Sequence, residues 1–143
     1  MVVKLFEEFI EEGIAKKITP DKQRAENLYL ESERKSRLLQ KAVNGMGIDN
    51  ENANDFIEYC YNTIMFFIRA KMLERGYISS GQGAHEAEVA FARILGFTDA
   101  ELKLLDQLRY FRNGILYYGK RFDQEYASLI IDFTKKIFIR FKK

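Results

Sequence analysis

A polar and aromatic stripe in the last third of the chain holds residues that could bind a phosphate group. Arg109, Asn113 and Tyr117 follow one another at steps of four, so on a continuous helix they share one face. Arg112 starts from a neighbouring face, but its long side chain can reach round to the same side. Two such stripes that met across a two-fold axis would form an electropositive cleft lined with amide and phenol groups. This cleft is the candidate site.

The same stripe has a purely structural interpretation. Arg109 can pair with Asp106 one turn earlier in the helix, and the tyrosines can pack in the core or in an interface. Gly114 within the helix carries a cost in helix propensity, which indicates close packing or a local distortion at that point.

His85 is the only histidine, and it stands beside Glu86 and Glu88 where a short helix is predicted to start. Its pKa lies near neutrality, so it could act as a base if it faced the cleft, whereas a structural or surface role needs no such position. The loop before it, residues 79–83, could hold a phosphate through backbone N–H groups or be a plain flexible connection.

Charge is unevenly distributed along the chain. From Lys103 onward the sequence has 10 Lys and Arg against 4 Asp and Glu, while residues 1–102 have 13 against 17. A basic last third suits contact with a polyanion, although solvated helices can have the same composition.

Several classes of site are excluded by composition. With one cysteine, Cys60, and one histidine, the chain has neither an internal disulfide nor a Cys/His zinc site. We expect no metal and no cofactor. No apolar run approaches the roughly 20 residues that cross a bilayer, so we expect a cytoplasmic protein without a membrane segment.

The elements that must position these residues are helices, because one proline and nine glycines are few for an all-β domain of 143 residues. Apolar spacing and capping residues predict a single domain, 1–143, of six helices. Their predicted ranges are 3–18, 20–43, 49–75, 84–95, 98–119 and 123–141. The third helix is apolar nearly all round, so it is either central or buried both in the core and against a partner.

The order of these helices, together with the segments 69–77 and 108–119, resembles the HEPN domain superfamily, in particular its small stand-alone archaeal-type members. The likeness covers residues 20–143, with residues 1–18 as an N-terminal helix added to the core bundle, and the Arg112-Asn113 pair is its most specific element. The resemblance implies an all-α, up-and-down bundle of about five to six helices. It also implies a homodimer that is a metal-independent ribonuclease of toxin–antitoxin type or a partner of a minimal nucleotidyltransferase.

In active members of that superfamily, four to six residues separate the arginine from a histidine. In this chain a gap of four residues leads to Tyr117, and Tyr118 follows. The histidine is assigned the acid or base role, and the arginine stabilises the negative transition state. A phenol with a pKa of about 10 is a poor base at neutral pH. The resemblance therefore implies catalytic positions at Arg112, Asn113 and Tyr117, with Arg109, Tyr118 and His85 as candidates for substrate binding.

Three functions follow as hypotheses. The first is binding of RNA or a nucleotide at a dimer cleft with weak or no cleavage. The second is a metal-independent endoribonuclease in which Tyr117 or His85 transfers the proton. The third is a helical module that docks a nucleotidyltransferase or another protein through the apolar third helix.

Overall fold

The computed structural model describes residues 3–142, and within that range it has six helices and two short strands. The all-α helical bundle predicted from the sequence is confirmed. In the described part of the chain, no helix is long and apolar enough to cross a membrane. In chain order the elements are α1 (Phe6–Glu11), β1 (Ala15–Lys17), α2 (Lys22–Met46), α3 (Ala53–Arg75), β2 (Tyr77–Ser79), α4 (Ala84–Leu95), α5 (Asp99–Tyr118) and α6 (Gln124–Arg140).

Helix α3 lies at the centre of the bundle, where α2, α4, α5 and α6 pack around it. Ile57, Cys60, Ile64 and Ile68 are completely buried along its length. The prediction of a central helix is therefore confirmed. Because the helices of the same chain cover this apolar surface, docking of a partner through the apolar face of α3 is not supported.

The N-terminal segment differs from its prediction as a single helix over residues 3–18. Helix α1 ends at Glu11, and Gly13 adopts a positive φ that interrupts the helix. Residues 15–17 instead form β1, which pairs antiparallel with β2 so that Lys16 lies opposite Ile78. The helix prediction for 1–18 is thus wrong beyond α1, because backbone pairing with β2 outweighs the local helical pattern. Residues 1 and 2 lie outside the described residues.

The start of α2 also differs from the sequence prediction. The N-cap is Asp21, whose carboxylate accepts a hydrogen bond from the backbone N–H of Arg24, so the helix begins at Lys22 rather than at the predicted residue 20. The backbone before it pairs with the end of α3, since the Ile18 N–H donates to the Gly76 carbonyl. Gly76 has φ +84°, and a Cβ there would stand 2.5 Å from the Ile18 carbonyl oxygen, so only glycine suits this position.

Helix α5 has the boundaries that its capping residues predict. Thr98 and Glu101 form a capping box, and Gly119 ends the helix in a left-handed conformation. The loop that follows is held by Asn54 of α3, which the sequence analysis did not identify. The Asn54 amide donates to the Lys120 carbonyl at 2.8 Å and accepts from the Phe122 N–H at 2.9 Å. Asn54 therefore fixes the chain direction between α5 and α6.

We expect Asn54→Ala to lower the free energy of unfolding by about 1–3 kcal/mol, because two hydrogen bonds to backbone groups are lost. Urea unfolding followed by circular dichroism measures this change. Asn62→Ala is the matched control, since Asn62 is an exposed asparagine on the same helix. Equal stability of the two variants would contradict the role given to Asn54.

Candidate functional site

A cleft of about 170 Å³ lies between the first turn of α4 and the middle of α5, with α3 beneath it. Four of the six residues selected from the sequence line this cleft, namely Arg109, Arg112, Asn113 and His85. Gly83, the N-cap of α4, stands at its edge, so the positive end of that helix dipole faces the cleft. We call it the arginine cleft, defined by Tyr61, His85, Glu86, Arg109, Arg112 and Asn113.

Arg112 is the cation of the cleft that has no acidic partner. Its guanidinium carbon lies 5.5 Å from the centre of the Tyr61 ring, a cation–π contact. No carboxylate among the described residues comes within 4 Å of its nitrogens, whereas Arg69 and Arg109 both have such partners. The Arg112 guanidinium is thus oriented by an aromatic ring while its charge is left for a ligand.

Tyr61 forms the floor of the arginine cleft, and its sequence position gave no sign of this role. The residue is only 2% exposed, and its hydroxyl makes no hydrogen bond within the described part of the chain. Burial raises the pKa of the phenol to about 12, and the Glu88 carboxylate adds to this effect while Arg112, Arg109 and Arg69 oppose it. The phenol therefore stays neutral at physiological pH and is a hydrogen-bond donor for a bound group.

Arg109 is held in place by two carboxylates. Its Nε lies 3.0 Å from Asp106 Oδ1, and its Nη1 lies 3.7 Å from Glu86 Oε1. The pairing of Arg109 with Asp106, one of the two interpretations of the stripe, is therefore confirmed. A guanidinium has five N–H donors, so these contacts leave Arg109 able to donate to a ligand as well.

His85 lies in the wall of the cleft, where a buried carboxylate orients it. Its Nδ1 is 3.3 Å from Glu88 Oε1, and the Glu88 side chain is only 8% exposed. Arg69 balances that buried charge, with its Nε 2.6 Å from Glu88 Oε2. Arg69 Nη2 lies 3.4 Å from the same Nδ1, so this nitrogen faces both a donor and an acceptor, and either tautomer of the neutral imidazole fits the site. Within the described residues, Nε2 makes no hydrogen bond.

Tyr117 and Tyr118 do not line the arginine cleft, although the sequence analysis grouped them with it. They are 76% and 87% exposed, so they do not pack in the core of the chain either. They line a second groove of about 570 Å³ on the next face of α5. We call it the tyrosine groove, defined by Tyr110, Asn113, Gly114, Tyr117, Tyr118 and Lys120. Asn113 lines both sites, so the two are contiguous.

One signal in the sequence could have identified part of the site. Glu88 interrupts an apolar run, residues 87–92, that is otherwise suited to burial, and a buried carboxylate requires a partner. Arg69 supplies that partner. The role of Tyr61 had no comparable signal, since a tyrosine on an apolar helix is usually a core residue.

In the described range, no group of three or more His, Cys, Asp and Glu residues could hold a metal ion. Comparison of the chain with models of known families, with curated proteins and with solved structures finds no match. The function must therefore be argued from the chemistry of the site.

We expect Tyr61→Phe to change the pH dependence of stability. In the native protein the phenol pKa is about 12, whereas in the unfolded chain it is about 10, so unfolding becomes easier as the pH rises from 10 to 12. This group accounts for roughly 2–3 kcal/mol of that loss. At pH 7 the variant should be at least as stable as the wild type, because the removed hydroxyl has no protein partner.

Urea unfolding at pH 7, 10 and 11 measures the effect, with a shallower decline above pH 10 expected in Tyr61→Phe. Cys60, whose pKa burial also raises to about 12, contributes equally to both proteins. If the free energy of unfolding declines equally with pH in the two proteins, Tyr61 does not titrate in a buried site.

Proposed function

We propose that this chain is an HEPN-type helical-bundle protein that binds the phosphate groups of RNA or of a nucleotide in the arginine cleft. The observation that carries the proposal is the pairing of Arg112 with Tyr61. A guanidinium without a carboxylate partner lies against a buried phenol whose hydroxyl has no partner among the described residues. An anion with several acceptor oxygens would satisfy both groups at once.

The charge around the cleft favours a polyanion over a single small anion. Residues 107–122 contain four cations and no carboxylate. Such a surface raises the local concentration of a phosphodiester chain and speeds its association. The N-terminal end of α4 adds a positive dipole at the edge of the same cleft.

The resemblance to the HEPN superfamily adds a homodimer to this proposal. In such a dimer two arginine clefts would share one RNA strand, which would double the number of phosphate contacts. A minimal nucleotidyltransferase is the partner that the same resemblance implies. The cytoplasm is the compartment that the single cysteine and the lack of a long apolar run favour.

We expect Arg112→Ala to weaken binding of a labelled single-stranded RNA about 10- to 100-fold, because a charge-assisted phosphate contact is lost. Fluorescence anisotropy at low and at moderate salt measures the affinity, and the salt dependence should become less steep. The matched control is Arg37→Ala, which removes an equal charge from the exposed surface of α2. If both variants bind as tightly as the wild type, the arginine cleft is not the RNA site.

A second candidate function is metal-independent cleavage of RNA, which the contact between His85 and Glu88 favours. In the tautomer that donates from Nδ1 to Glu88, His85 would take the proton from a ribose 2′-hydroxyl at Nε2, and the hydroxyl oxygen would attack the adjacent phosphorus. Arg112 would stabilise the negative charge that develops, and the 5′ oxygen would leave with a proton from solvent. In a single chain, Tyr117 lies in the neighbouring groove, so His85 is the better candidate for proton transfer.

For this candidate, wild-type protein in excess EDTA should cleave single-stranded RNA to products that end in a 2′,3′-cyclic phosphate. His85→Gln should slow cleavage by about 100-fold or more, because the base is lost. Denaturing gel electrophoresis of end-labelled RNA measures the rate. Loss of cleavage in Tyr117→Phe but not in His85→Gln would assign the proton transfer to Tyr117. An inert wild-type protein would reject the enzyme and leave the binding proposal intact.

A further inference from the structure

We infer that the tyrosine groove binds the bases of single-stranded RNA by stacking, next to the phosphates in the arginine cleft. This inference rests on the proposed function, and it assigns to Tyr110, Tyr117 and Tyr118 a role in recognising unpaired bases. It also makes the ligand a single strand, because bases within a duplex are already stacked on one another.

The groove has the shape that stacking requires. Tyr110, Gly114 and Tyr118 follow at steps of four, so they lie on one face of α5 with the glycine in the middle. The two tyrosine positions are roughly 12 Å apart along the helix axis. Since Gly114 has no side chain, planar rings can enter between them. All three tyrosines are highly exposed, with 62% of Tyr110 accessible.

Packing does not explain the glycine at position 114. A Cβ there would meet only the side chain of Lys120, at 3.7 and 3.8 Å, which is ordinary van der Waals contact. Its φ is not in the left-handed region, so an alanine would fit and would favour the helix. The predicted need for close helix packing at Gly114 is therefore not supported, and the absence of a side chain at this position leaves the groove open.

Charge favours RNA over a second copy of the chain as the occupant of this groove. The stretch 107–122 has four cations and five aromatic residues but no carboxylate. The Lys120 ammonium lies 5.4 Å from the ring centres of both Phe111 and Phe122. Two copies that met through this face would bring like charges together, whereas a nucleic acid supplies both rings and negative charge.

The path between the two sites is continuous. Asn113 lines the arginine cleft on one side and the tyrosine groove on the other. A strand whose phosphate contacts Arg112 can therefore place a neighbouring base beside Tyr117. The amide of Asn113, which makes no hydrogen bond within the described residues, is available to a base edge or to a ribose.

The test compares three ligands of equal length, about eight nucleotides. They are a single-stranded RNA, the same backbone without bases, and an RNA duplex. Wild-type protein should bind the single strand about 10-fold or more tightly than either alternative.

Tyr117→Ala with Tyr118→Ala should remove this preference without changing the affinity for the abasic strand. The double Phe variant should keep it, since the rings remain. In the single strand, 2-aminopurine fluorescence reports the stacking directly.

A second variant tests whether the loss of preference comes from the groove itself or from loss of structure in the tyrosine variants. Gly114→Leu fills the groove without changing any charge, so it should lose the preference for the single strand. Because leucine favours a helix more than glycine does, the variant should also have a higher midpoint of thermal unfolding. Sedimentation of all variants reports their oligomeric state.

The possible failures are distinguishable. Equal binding of the three ligands by wild-type protein, or an unchanged preference in both groove variants, would overturn the stacking role. If Arg112→Ala leaves the abasic affinity unchanged, the proposed function itself fails, and absence of binding to every ligand rejects both. If the alanine variants turn a dimer into a monomer, the groove is an interface between copies, and the inference is wrong.

Discussion

The burial of α3 on nearly all sides is the constraint that decides the rest of the structure. Its apolar side chains run round the whole helix, so no single neighbour could remove them from water. Helices α2, α4, α5 and α6 each contribute an apolar stripe to cover it. Each of these four helices must contact α3. The surface of α3 therefore determines how the polar faces of the four helices lie relative to one another.

Three polar side chains of α3 lie where the covering helices meet, and each has a distinct consequence. Asn54 holds the loop between α5 and α6, Arg69 balances the buried Glu88, and Tyr61 forms the floor of the arginine cleft. Structural and candidate functional roles thus arise from one requirement. A polar group on a buried helix needs a protein partner, or else it faces a cavity in which a ligand can be the partner.

The balance of charges gives the cleft its chemistry. Glu88 is neutralised by Arg69, while Asp106 and Glu86 flank Arg109, so the carboxylates near the cleft are engaged. Arg112 has no carboxylate partner among the described residues, and its guanidinium lies over the face of the Tyr61 ring. On the other side of Asn113, the same helix exposes its tyrosines to solvent. One helix therefore carries two neighbouring surfaces, one cationic and one aromatic.

Much of the fold follows from local interactions that can be recognised in the sequence. Glycines determined where α3, α4 and α5 end, and the capping box at Thr98 determined where α5 begins. Helical spacing placed Arg109 and Asn113 on one face, because these effects act within a few residues. The tertiary structure alone decided that residues 15–17 form a strand, that His85 and Tyr61 join the arginines, and that Tyr117 stands apart. Those outcomes depend on segments far apart in the chain, which come together only when α3 is buried.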